Sequence, residues 1–390
     1  MVNFQYYAPT KVIFGKNTET QVGRLVKEFG ASKVLIHYGM GSVIRSGLLD
    51  LVKKSLDKVG ISYTELGGVK PNPRLSLVYK GIELAKAEDV DFILAVGGGS
   101  VIDSAKAIAF GIRHDFDVWD LYTGKESVSD CAPLGTILTI AAAGSEMSNG
   151  SVITNEDGWL KRACGSDLAR PKFSILNPEQ TYTLPTYQTS CGAADIMMHT
   201  MERYFTTEEA MDITDSIAET LLRTVMRNAK KALQNPRDYN TRAELMWASS
   251  LAHNDLTGCG SIGDWSTHDI EHELGGMFDI AHGAGLAAVW GSWARHVYKI
   301  KPERFAKFAN KVFGIENPDI EKAAILGIEA MEEFYKSIDM PTSISYFDIS
   351  PTDEQIDEMA DKATSGDTST LGNFKKLKKA DIKTILTMAK

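Results

Sequence analysis

The chain has 390 residues, of which 43% are hydrophobic and 24% charged, and a formal net charge of −9. That length favours two domains over a single core, and the composition is that of a globular protein in water. The acidic balance argues against nucleic-acid and anionic-membrane partners, which need a basic surface, and no apolar run approaches the length of a membrane span.

The opening MVNFQYYAPT lacks a basic flank followed by an apolar stretch, so no signal peptide is expected. Cys131, Cys164, Cys191 and Cys259 are widely spaced and form no CxxC pair. They suggest neither a disulfide framework nor a cysteine zinc site, and a cytoplasmic location is expected.

In chain order, Lys11 to Phe14 carries a strand signal, an edge on which a second copy could pair. Lys33–His37 reads as a strand, Ser42 to about Val59 as an amphipathic helix, and Ser62–Leu66 as another strand. Leu75 to about Ala87 is helical, Phe92–Val96 is a short apolar strand, Ser100 opens a helix to about Phe110, and Thr136–Ile140 is a further strand. Strands alternating with helices imply βαβ units and a mostly parallel sheet. After Tyr182-Thr-Leu-Pro185 the pattern changes to helices over Ser190–Phe205, Met211–Leu233, Thr241–Leu256, Pro302–Phe313, Ile320–Ile338 and Asp353–Ala363. Thr364 to Gly372 reads as a loop before a last helix. The expected organisation is an α/β nucleotide-binding domain over residues 1–185 and an all-α domain over 186–390.

Gly97-Gly-Gly-Ser100 lies between an apolar strand and a helix, the context in which backbone N–H groups and the helix dipole hold a pyrophosphate. Asp103 and Lys106 follow within two helical turns. A second turn, Tyr38-Gly-Met-Gly-Ser42, with Gly39, Gly41 and Ser42, follows the Lys33–His37 strand. It holds no Asp or Glu to bind a ribose 2′-OH, and Arg45 is close by, which favours NADP(H) over NAD(H).

Four of the eight histidines fall into one constellation with an aspartate: Asp195-xxx-His199, His268-xxx-His272, and His282 in a glycine-flanked turn. Residues four apart share a helix face, and one carboxylate with several imidazoles suits Fe(II) or Zn(II). On spacing alone His268 and His272 would pair as ligands. His268-Asp-Ile-Glu-His272 also matches HxxEH, a zinc peptidase signature with Glu271 as general base. That alternative leaves the glycine turn, the DxxxH pair and His282 without roles.

These motifs together resemble the iron-dependent (group III) alcohol dehydrogenases: Gly97-Gly-Gly-Ser-Val-Ile-Asp103 with Ala105-Lys106, Gly144-Ser-Glu146, Asp195-xxx-His199, His268-xxx-His272 and His282-Gly. The butanol dehydrogenase branch is nearest, through Tyr38-Gly-x-Gly-Ser-Val43, Pro71-Asn-Pro73 and Thr181-Tyr-Thr-Leu-Pro185. The resemblance spans essentially the whole chain. It implies a dehydroquinate-synthase-like fold with the active site in the cleft between the domains. Also implied are metal ligation by Asp195, His199, His268 and His282, and a place for His272 beside the metal as a catalytic group. Asn72, Gly98, Gly99, Ser100 and Asp103 match cofactor contacts, and Thr139, Ser145, Lys161 and Tyr182 match positions lining the cofactor. Two stretches depart from the pattern: Ala141-Ala-Ala-Gly-Ser-Glu146 has Ala143 where a threonine is usual, and His282-Gly-Ala-Gly-Leu286 replaces the usual His-Gly-x-Ala-Asn.

The expected chemistry is hydride transfer between NADP(H) and a primary alcohol or aldehyde, in a homodimer. Each ligating imidazole needs its second nitrogen held, for which Asp269 and Glu271 are candidates, and His272 is placed to relay a proton. A lyase reaction on an acidic phosphorylated substrate, performed by a related fold, would need a cluster of Lys and Arg in the cleft, and the helical half shows no such run near the expected ligands. Trp265, Met277 and Phe278 hint at an apolar pocket.

Overall fold

A computed structural model describes residues 1–390. The chain separates into two compact units, Tyr7–Thr183, and Leu184–Lys390 together with Met1–Tyr6. The first six residues therefore leave the α/β domain to which the sequence reading assigns them. The Val2 N–H donates to the Gly260 carbonyl at 2.9 Å and the terminal ammonium to the Glu209 carbonyl at 2.8 Å.

The α/β unit runs β1 (Lys11–Phe14), α1 (Val22–Glu28), β2 (Lys33–Gly39), α2 (Ser42–Arg45), α3 (Leu48–Asp57), β3 (Ser62–Val69), α4 (Leu75–Ala87), β4 (Phe92–Gly97), α5 (Gly99–Gly111), α6 (Trp119–Tyr122), β5 (Leu134–Leu138), β6 (Gly150–Asn155), β7 (Leu160–Gly165) and β8 (Phe173–Leu176). Six parallel strands form one sheet in the order β1-β8-β5-β4-β2-β3. Every residue of β4 is buried, as a parallel strand covered on both faces requires. On one face Ile36, Leu94, Val96 and Ile175 pack with Val26 of α1 and Val52 and Leu56 of α3. The expected helix over 42–59 is two pieces, because Ser46-Gly47, a turn dipeptide, interrupts it between α2 and α3.

The chain leaves β2 for β3 on one side and returns to β4 on the other. Ligands of open parallel sheets bind beyond the carboxyl ends of the strands at such a reversal. The strand ends there are in register: Tyr38 lies opposite Val96, and Gly97 opposite Leu138. The antiparallel pair β6–β7, which the sequence reading does not anticipate, is tied to the same region by the Thr154 N–H, which donates to the Pro73 carbonyl at 2.8 Å.

The helical unit comprises α7 (Thr186–Tyr204), α8 (Asp212–Gln234), α9 (Tyr239–Ala252), α10 (Ser266–Phe278), α11 (His282–Val297), α12 (Pro302–Phe313), α13 (Ile320–Ser337), α14 (Asp353–Ala363) and α15 (Lys379–Ala389). Local chemistry sets several ends: Pro302 opens α12, and Thr352 with Gln355 forms a capping box on α14. The core centres on stacked Phe205 and Phe305, whose ring centroids are 4.4 Å apart, with Trp290 and Trp293 packed against Phe205. His282 is not in a turn, as the sequence reading has it, but is the first residue of α11.

His37 ties β2 to α5. Its Nδ1–H donates to the Leu66 carbonyl, and its Nε2 accepts from the Ser104 hydroxyl, both at 2.9 Å. Burial lowers its pKa from 6.5 to about 4. Between those values the unfolded chain binds a proton that the folded chain refuses, so stability is lost as the pH falls from 6.5 towards 4, by up to about 3 kcal/mol. Unfolding free energies of His37→Gln, measured in urea across that range, are expected to show a pH slope shallower by close to one proton. An unchanged slope would remove His37 as the source.

Candidate metal centre and cofactor turn

At the carboxyl edge of the sheet, β4 ends in Gly97, Gly98 caps α5, and Gly99 and Ser100 form its first turn. That is a helix N-terminus able to receive a diphosphate. On the neighbouring strand Gly39 ends β2, Gly41 caps α2, and Ser42 opens it, with Arg45 exposed. Asn72, at φ +50° between its two prolines, follows β3, and its carbonyl accepts from Arg74 at 2.8 Å. The Thr139 N–H donates to the Gly97 carbonyl at 3.0 Å, and Tyr182 closes a short turn after β8. Lys161 is buried on β7, opposite Thr154.

Two of the expected cofactor contacts do structural work inside this unit. The Asp103 carboxylate accepts from the Ser145 hydroxyl at 2.5 Å and from the Val152 N–H at 3.1 Å. Ser145 in turn accepts from Lys106, a fully buried ammonium directed at the Ser145, Ser148 and Gly150 carbonyls, at 2.8, 2.9 and 2.7 Å, and at both serine hydroxyls. Burial pulls the Lys106 pKa down to about 8, opposed by the Asp103 and Glu146 charges. Lys106 thus acts as an internal cation that shapes the loop after β5.

In the helical unit, α7 is buried along the whole of Thr189–Tyr204 and carries Asp195 and His199 one turn apart. The His199 Nδ1 lies 3.1 Å from Asp195 Oδ1. His268 is on α10 and His282 begins α11. A Cβ at Gly283 would collide with the Cys191 carbonyl, so α11 meets α7 at a distance only glycine permits. That approach sets His282 Nε2 3.9 Å from Asp195 Oδ1.

Ligand atoms of Asp195, His268 and His282 all lie within 4.8 Å of one another, and a second such group joins Glu271, His272 and His282. The rings of His199 and His268 are 4.6 Å apart between centroids. His268 Nε2 is buried without a hydrogen-bond partner, while burial and the surrounding imidazoles push the His268 pKa far down and keep the ring neutral. A buried, neutral, unpartnered imidazole nitrogen beside a carboxylate and another imidazole fits a divalent metal.

The outer nitrogens are held as ligating imidazoles require. His268 Nδ1 donates to Glu202 Oε1 at 3.0 Å, and His282 Nδ1 donates to Glu271 Oε2. Of the two carboxylates expected to do this, Glu271 is found there; for His268 the partner is Glu202, three residues after His199 on α7, and not Asp269. The sequence signal was present, because position i+3 shares a helix face with His199. Glu202 also accepts the His268 and Trp265 N–H groups at 3.0 and 2.7 Å. Burial and the Asp264 charge raise its pKa, and these two donors oppose them. Trp265 stands at φ +67°, a strained setting for a bulky residue, with Arg203 4.6 Å from its ring centroid. It packs on the rings of His199, His253 and His268, forming an apolar wall.

The pattern of the family "Iron-containing alcohol dehydrogenase" matches residues 9–178, and that of "Fe-containing alcohol dehydrogenase family, C-terminal" matches residues 189–390. The chain belongs to the iron-containing alcohol dehydrogenase family. Similar proteins include the "Probable NADH-dependent butanol dehydrogenase 1" of Bacillus subtilis, 43% identical over 388 residues and 99% of each chain. The NADPH-dependent aldehyde reductase YqhD of Escherichia coli is 35% identical over 348 residues, 88% of this chain and 89% of the other. The crystal structure of NADH-dependent butanol dehydrogenase A from Thermotoga maritima superposes with a TM-score of 0.95 at 40% identity, covering 99% of this chain and 98% of that one. The protein is therefore an NAD(P)-dependent oxidoreductase acting on CH–OH groups, with a parallel-sheet nucleotide-binding unit and a helical unit, as the sequence leads one to expect. The peptidase reading of HxxEH falls with that assignment, and so does the lyase.

Replacing Lys106 strands several buried oxygens at once. Lys106→Met is expected to lower the unfolding free energy of the whole chain by about 3 kcal/mol or more, measured by urea denaturation. A loss within experimental error would show that water can take over the ammonium's role.

Proposed function

We propose that this enzyme interconverts primary alcohols, butanol among them, and their aldehydes with NADP(H), holding one divalent ion, Fe(II) or Zn(II), on Asp195, His199, His268 and His282. The observation that carries the reading is the convergence of Asp195, His268 and His282 donor atoms within 4.8 Å around the unpartnered His268 Nε2. His199 joins them through its contact with Asp195 and its ring packing on His268. One carboxylate and three imidazoles suit either ion.

The ion supplies Lewis acidity to the substrate oxygen, and the nicotinamide carries the hydride. The chain's own groups do the rest. Asp195 provides the anionic ligand, while Glu202 and Glu271 keep two imidazoles in the ligating tautomer. Trp265 shields the cluster from water. His272, buried and within 4.8 Å of Glu271 and His282 donor atoms, stands beside the ligand set and is the group we assign to proton transfer. Gly97–Ser100 receives the diphosphate, with Asn72, Thr139, Lys161 and Tyr182 around it.

The preference for NADP(H) rests on the Gly39–Ser42 turn, which offers small residues and a serine, with exposed Arg45 nearby and no carboxylate to reject a 2′-phosphate. Relatives at 39–43% identity are named NADH-dependent, and one at 35% is named NADPH-dependent, so the NADP(H) preference rests on the turn alone. A homodimer belongs to the same reading: β1 forms one edge of the sheet, and an edge strand is a template for a second copy. No helix is long and apolar enough to cross a membrane, and the four cysteines form no disulfide, which accords with a cytoplasmic enzyme.

The deciding experiment follows NADPH consumption over a panel of linear aldehydes that includes butanal. Turnover is expected, with kcat/KM for NADPH above that for NADH; equal values would overturn the coenzyme preference. Chelation should abolish activity, and Fe(II), Zn(II), Mn(II) or Co(II) should restore it to different degrees. Full activity in metal-free protein would defeat the metal's role. His272→Ala is expected to retain its metal and lose about 10²- to 10⁴-fold in kcat, whereas stoichiometric loss of metal would place His272 among the ligands.

A further inference from the structure

The HxxEH glutamate holds the outer nitrogen of His282, and Gly285 stands where the family pattern usually has alanine. The two residues touch. Glu271 lies on α10 and is completely buried. Its Oε2 receives the His282 Nδ1–H across the gap to α11. Gly285 follows His282 by three residues on α11 and so occupies the same helix face. A Cβ built on Gly285 would stand 2.9 Å from Glu271 Cγ and 3.0 Å from Glu271 Oε1, with Ile280 Cδ1 also at 3.0 Å. Ile280 is itself buried, so neither side chain has open space to move into.

We infer that Glu271 and Gly285 form one coupled device: Gly285 leaves the space in which the Glu271 carboxylate stands, and Glu271 positions His282 for metal binding. The inference rests on the reading of His282 as a metal ligand. An anionic acceptor at Nδ1 fixes the proton there, leaves the lone pair on Nε2 directed towards Asp195, and makes that nitrogen a stronger donor. Alanine at position 285, where the family pattern usually has it, would force the Glu271 side chain out of this rotamer. Glu271 is a positioning residue: it acts through His282.

The test measures Zn(II) affinity of metal-stripped full-length protein by competition with a chromophoric chelator, alongside the melting temperature of the metal-free form. Glu271→Ala is expected to weaken Zn(II) binding by about 10- to 100-fold, and Glu271→Gln, which keeps an acceptor of the same shape, by less. Gly285→Ala is expected to weaken binding to a similar degree and also to lower the metal-free melting temperature. In the double variant Glu271→Ala/Gly285→Ala the melting temperature should recover relative to Gly285→Ala, with Zn(II) affinity no worse than in Glu271→Ala alone. Additive losses in the double variant would overturn the coupling. Wild-type affinity in Glu271→Ala, with His282→Ala unable to hold zinc, would overturn the role of Glu271 while leaving the ligand reading intact. Wild-type affinity in His282→Ala would instead overturn the ligand reading beneath it.

Discussion

The close approach of α11 to α7 at Gly283 is the constraint on which the proposed metal centre depends. Asp195 and His199 come from one helix, His268 from a second, and His282 from the start of a third. Three rigid elements must therefore agree to within a few tenths of an ångström before one ion can touch all of them. A side chain at Gly283 would wedge α11 off the Cys191 carbonyl and carry His282 away from Asp195. The first turn of α11, His282-Gly-Ala-Gly285, is thus poor in helix propensity and rich in contact. Its stability comes from packing, which is why the sequence reading leaves it as a turn.

The same trade accounts for what else the sequence conceals. Helices with ordinary amphipathic faces and local caps, such as Pro302–Phe313 and Asp353–Ala363, are legible to the residue, because propensity, pattern and capping agree. The central strands β2 and β4 are legible as short apolar runs buried on both faces, whereas β8, Phe173-Ser-Ile-Leu176, is one the sequence reading does not anticipate. The β6–β7 pair is not legible either: Lys161 stands at an inward position where alternation would want an apolar residue, and it is nevertheless buried. The family motifs single out Asp195, His199, His268, His272 and His282, whereas Glu202 reads as an ordinary helical glutamate until the fold turns it inward.

The α/β unit solves a related problem with the opposite charge. The loop after β5 carries several inward carbonyls and two serine hydroxyls that no strand pairs. A buried ammonium with several donors collects them, and Asp103 on the same helix as Lys106 braces the neighbouring strand. Residues that a motif search assigns to the cofactor thus serve first to build the wall on which the cofactor would rest. Contact and support are both reasons for a motif position to be what it is, and only the geometry separates them.

That distinction decides between two chemistries spelled by the same five letters. HxxEH can be a pair of zinc ligands with a general base between them, provided that the glutamate faces the open side of the ion and reaches a bound water. Here the glutamate is completely buried and points at Nδ1 of His282, which would set it behind that imidazole if His282 binds the ion. The two histidines are divided as well: His268 converges with Asp195 and His282, and His272 with Glu271 and His282. A base set behind the ligand shell can tune the metal but cannot take a proton from a substrate. The motif's hydrolytic reading therefore gives way to the family assignment, under which Glu271 would tune an ion held by His282 instead of activating a water.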